Sequence, residues 1–72
     1  QNKAANAEDE VKVAILLKPN EPKYHKLLAD CLLQQSKHDP ALCEYRTTLE
    51  LKPDVPDAGD IKNKIDYLKQ VL

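Results

Sequence analysis

Apolar residues recur along this chain at the three-and-four spacing of a helix that buries one side. Tyr24, Leu27, Leu28, Cys31 and Leu32 keep that rhythm, and so do Ile61, Ile65, Leu68 and Leu72. Prolines punctuate the pattern. Pro19, Pro22, Pro53 and Pro56 cannot lie inside helices, and each pushes its predecessor out of the helical region, so the chain breaks at both pairs. Asp39-Pro40 predicts a third boundary, with the Asp39 carboxylate capping an orphan N–H and Pro40 at the first helical position, where no donor is needed. Four helices are expected, at about 4–18, 22–36, 40–52 and 57–71, in an all-α fold.

The breaks repeat. Ile15-Leu16-Leu17-Lys18-Pro19-Asn20-Glu21-Pro22 returns further along as Leu49-Glu50-Leu51-Lys52-Pro53-Asp54-Val55-Pro56, with both prolines displaced by the same offset. That offset also pairs Ala7 with Ala41, Glu10 with Glu44, Val11 with Tyr45 and Lys12 with Arg46, without a gap. A period of 34 built from two helices resembles the tetratricopeptide repeat family. In the first helix of that family's repeat, the slots for a large aromatic, Leu, Gly and Tyr hold His25, Leu28, Ala29 and Leu32 here. In its second helix, the slots for Ala, an aromatic, Ala and Pro hold Ala41, Tyr45, Thr48 and Pro53. His25 and Thr48 are the clear departures. The second helix of a preceding repeat matches through Ala7, Val11, Ala14 and Pro19, whereas Gly59 and Lys62 depart from the pattern beyond Pro56.

The resemblance implies antiparallel helix pairs of an α-solenoid in a single domain over 1–72. The parts would be a half-repeat at 4–18, a full repeat at 22–55 and a capping helix at 57–72. It also implies a concave face, lined by one side of the first helix of the full repeat. By helical spacing the partner-binding candidates on that side are Lys23, Lys26, Asp30, Leu33, Gln34 and Lys37. Related arrays grip the acidic tails of chaperones with a Lys and an Asn four residues later. Lys26 fits that pattern, but Asp30 would repel a carboxylate and is expected to pair with Lys26 instead.

Composition narrows the classes further. Eleven Lys and Arg against twelve Asp and Glu give a net charge of -1, no field to gather nucleic acid. The longest apolar run, Val13 to Leu17, is far below the roughly 20 residues of a membrane span. Two cysteines do not make a disulfide scaffold, and a reduced, cytoplasmic setting is expected. His25, Cys31, His38 and Cys43 lack the paired spacing of zinc ligands, and no Cys or His has a base and an orienting group nearby in sequence. The expectation is a non-catalytic scaffold without cofactor or metal, binding a protein or peptide partner and neither nucleic acid nor membrane. The alternative is a structural cap or self-association segment of a longer repeat protein or of a multidomain enzyme. The helix at 4–18 carries Ala7, Val11, Ala14, Ile15 and Leu17 with no helix before it, so its open face predicts self-association or cover by other chain.

Overall fold

The computed structural model describes residues 3–72, so the first two residues of the expected 1–72 domain lie outside it. Its elements are α1 (Lys3–Leu17), α2 (Pro22–Gln34), α3 (His38–Leu51) and α4 (Ala58–Val71). Each helix packs on the next in chain order, α1 on α2, α2 on α3 and α3 on α4. The links at 18–21 and 35–37 are too short to return to the starting end of a helix, and the 52–57 link is folded by its own turns. Successive helices therefore run antiparallel. The assembly measures 29 × 26 × 17 Å, about two helices thick.

Helix ends follow local chemistry. Pro22 opens α2 at a position that needs no donor, and the Glu21 side chain accepts from the Lys23 N–H at 3.4 Å. Lys52 is extended because it precedes Pro53, yet its N–H still closes α3 on the Thr48 carbonyl at 3.1 Å. At the matching place one repeat earlier, the Lys18 N–H reaches the Ala14 carbonyl at 2.9 Å in front of Pro19.

The α2–α3 boundary departs from expectation. Asp39 is not the N-cap of α3. The cap is Lys37, whose carbonyl accepts the first helical bond from the Ala41 N–H at 3.2 Å, and its side chain makes no cap bond. Asp39 and Pro40 lie inside the first turn, where the missing proline N–H is an orphan in any case. The early start follows from the way α2 ends. Ser36 adopts φ 59°, the Ser36 N–H bonds the Leu33 carbonyl at 3.0 Å and the Lys37 N–H bonds the Leu32 carbonyl at 2.9 Å. This is a Schellman turn with serine in the place that glycine usually takes, and it reverses the chain by Lys37. The remaining helices begin and end within about two residues of the expected bounds.

The core is Leu28, Ala29 and Leu32 of α2, Ala41, Leu42 and Tyr45 of α3, and Ile61, Ile65 and Leu68 of α4. Tyr45, Ile61, Leu68 and Thr48 are its largest fully enclosed side chains. Each large apolar one contributes about 1.5–3 kcal/mol relative to exposure. The Thr48 hydroxyl, foreign to the repeat pattern, is satisfied by donating to the Glu44 carbonyl at 2.8 Å. Neighbours explain why matched positions differ. Ala41, Tyr45 and Thr48 are buried because α3 lies between α2 and α4, whereas their counterparts Ala7, Val11 and Ala14 are only half-buried because α1 packs on α2 alone.

Glu8 occupies the position that Leu42 holds one repeat later, and it is only 6% exposed. A lone carboxylate there would be costly. It accepts from Lys12 at 2.7 Å, from Gln35 at 2.7 Å and from Lys37 at 3.3 Å, which fastens α1 to the end of α2. The Lys12 and Gln35 bonds, and then that of Lys37, outweigh burial and hold the Glu8 carboxyl down at about 2.

Candidate binding site

Two clefts open between the helices. The first, of about 350 Å³, lies where the beginnings of α2 and α4 meet the end of α3. Val55 and Pro56 supply its less polar surface over the enclosed Thr48 and Ile61, and Lys23, Lys26, Lys52, Glu21 and Asp57 supply its charges. Pro53 and Pro56 set this geometry by stopping α3 and turning the chain back, which brings Val55 against the core.

Beside it runs a ladder of charge. Asp30 on α2 receives Lys26 at 3.1 Å and Lys64 of α4 at 3.3 Å, and it also accepts the hydroxyl proton of Tyr45. Lys64 continues to Asp60 at 3.2 Å, and Lys26 reaches Asp57 at 3.7 Å. The Lys64 ammonium also stands 5.6 Å from the centre of the Tyr45 ring, within cation–π range. Burial pushes the Asp30 carboxyl up, but the Tyr45 hydroxyl and the two ammoniums outweigh it and leave the group below its usual range. Tyr45 is driven far the other way, by burial first and then by its bond to Asp30.

The six residues expected to form one stripe are divided by the fold. Lys23 and Lys26 line the first cleft, and Asp30 anchors the ladder through the expected pair with Lys26. Leu33 is half-buried against the core and Gln34, the last residue of α2, is exposed. Lys37 leaves the stripe, because the Schellman turn carries it past α2 to Glu8 of α1. Lys52, Val55, Ile61 and Lys64 belong to the site and were missed from the spacing of α2 alone. One signal was legible: one period after Lys26 and Asp30 stand Asp60 and Lys64, the same pair with the charges exchanged.

The second cleft, also about 350 Å³, is lined by Lys12, Ile15 and Leu16 of α1, His25 and Leu28 of α2, and Glu44 of α3. His25 Nδ1 lies 2.7 Å from Glu44 Oε1 and Nε2 lies 2.7 Å from the Pro19 carbonyl. Near this cleft Leu16 and Leu17 are 81% and 79% exposed, and Val13 is exposed as well.

The four residues considered as zinc ligands do not gather: among the described residues no group of three or more His, Cys, Asp or Glu side chains could hold a metal ion. Cys31 is half-buried and Cys43 exposed. No helix of the described residues is long and apolar enough to cross a membrane. The chain matches no family model, no curated protein and no solved structure at a significant level.

Proposed function

We propose that this chain is a non-catalytic, tetratricopeptide-like interaction segment that receives a peptide or helix of a protein partner in the first cleft. The observation that carries this reading is the cleft itself. Apolar surface from Val55 and Pro56 lines the same cleft as Lys23 and Lys52, two exposed ammoniums for which no ion pair is found among the described residues. Beside it Lys26 and Lys64 are engaged by Asp30, Asp57 and Asp60, so recognition rests on the cleft rim and not on a charged stripe along α2. The unpaired cysteines support a reducing, cytoplasmic setting. The test uses a partner isolated on this chain. Lys23→Glu with Lys52→Glu should weaken its affinity about tenfold, a loss of about 1.4 kcal/mol, while Lys62→Glu, at an exposed position outside the cleft lining, leaves it unchanged. Equal affinity in all three would defeat the reading.

One observation favours a second reading, a cap that ends a longer array. The positions one period after buried His25, Leu28, Ala29 and Leu32 are Gly59, Lys62, Asn63 and Asp66, all exposed, so at these positions α4 does not repeat the packing face of α2 for a following helix. In that reading the exposed Val13, Leu16 and Leu17 of α1 are covered by earlier repeats or by a second copy. Loss of partner binding on deleting those earlier repeats, with the cleft intact, would decide for it.

A further inference from the structure

We propose that His25 is a proton-operated latch: with both ring nitrogens protonated it ties the α1–α2 turn to α3, and loss of one proton releases the end of α1. The geometry suits the doubly protonated ring. The Pro19 carbonyl can only accept, and so can a carboxylate at Glu44, yet each lies 2.7 Å from a ring nitrogen. A neutral imidazole has one N–H, so it satisfies one oxygen and turns a lone pair toward the other. His25 is only 9% exposed, which leaves little room for water to repair the loss.

The surroundings define the balance. From α3 the ring faces Glu44, from the turn it faces the Pro19 carbonyl dipole, and from α1 Lys12 lines the same cleft, its ammonium held 2.7 Å from Glu8. Just before α2, Glu21 is occupied with the Lys23 N–H. The other lining groups are the apolar Ile15, Leu16 and Leu28. Burial disfavours the charged ring, but Glu44 and the Pro19 carbonyl outweigh it and lift the group above its ordinary 6.5. The latch is thus fully engaged below about pH 6.5 and is lost as pH rises through the higher folded value.

Release has a place to act. Within the turn the Glu21 N–H reaches the Lys18 carbonyl at a long 3.4 Å, and the bond from His25 is the side-chain anchor found on Pro19 among the described residues. Without it the last turn of α1, which bears Leu16 and Leu17, loosens from the repeat and the second cleft widens. The proton therefore sets how firmly α1 is docked, whether or not the first cleft binds a partner.

The test is nuclear magnetic resonance on the 72-residue chain carrying His38→Gln, in which His25 is the sole imidazole. At about pH 6 both ring nitrogens should carry protons. As pH rises, the amides of Lys18, Asn20 and Glu21 should shift with the midpoint of the ring, and amide-exchange protection at residues 15–18, corrected for intrinsic rate, should fall about tenfold. Glu44→Gln should move that midpoint down. His25→Phe should abolish the pH dependence of the exchange. A ring that holds a single proton at about pH 6, turn amides that ignore its titration, or pH-dependent exchange that survives His25→Phe would each overturn the latch. Should His25→Phe not fold, the Glu44→Gln midpoint decides the matter, and a midpoint equal to that of the parent protein overturns the proposal.

Discussion

Asp30 and Lys64 are one full repeat apart in the chain and 3.3 Å apart in space, and they join α2 to α4, two helices that are not consecutive in the chain. Asp30 does more than pair with a lysine, since it is also the acceptor for the hydroxyl of fully enclosed Tyr45. Removing the two partners should have unequal effects. Lys64→Met, which keeps the aliphatic stem, should cost under about 1 kcal/mol, because its ammonium is partly solvated. Asp30→Ala should cost about 1–3 kcal/mol, because a buried hydroxyl loses its acceptor. Urea melts of both variants, with Tyr45→Phe to close a double-mutant cycle, measure the coupling. Additive effects of Asp30→Ala and Tyr45→Phe would show that the hydroxyl bond contributes nothing.

Ser36 holds a left-handed conformation at φ 59°, where a side chain on Cα is penalised and glycine is not. Ser36→Gly should raise stability by about 1 kcal/mol without altering the helices on either side. Denaturant midpoints and the far-ultraviolet circular dichroism spectrum check both parts. A lower midpoint would mean that the Schellman turn is not kept in solution.

Asp39 interacts with α3 only through its charge in the first turn, since no bond from its side chain caps the helix. Asp39→Ala should therefore cost about 0.3–1 kcal/mol at low salt and less at high salt, the behaviour of a charge on a helix dipole. A salt-independent loss would restore a capping bond to Asp39.

Acid should loosen α1. The Glu8 carboxyl is held near 2, below its ordinary 4.5, so its contribution is present above about pH 4.5 and is lost as pH falls toward 2. Thermal melts between those limits should show stability declining in the parent protein and a shallower decline in Glu8→Gln. Identical slopes would mean that Lys12, Gln35 and Lys37 do not hold the carboxylate.

Much of this protein was settled by its sequence alone. Helices of the right number, in nearly the right places, follow from apolar spacing and from prolines, because a residue without an N–H is tolerated in the first turn of a helix and breaks it further along. The repeat was also legible, as was the Lys26–Asp30 pair, since residues four apart on a helix are neighbours before any tertiary contact forms. Tertiary structure alone decided what lay across helices. His25 read as a departure from a large-ring slot, and only the approach of Glu44 and the Pro19 carbonyl makes it a tie between the α1–α2 turn and α3. Lys37 read as the end of a stripe on α2, but the left-handed turn at Ser36 sends it to Glu8 of α1. Asp39 beside Pro40 read as a cap, because local chemistry favours it; the reversal completed at Lys37 starts α3 earlier. Spacing along one helix encodes which residues share a side, while the direction in which a turn releases the chain determines what that side meets.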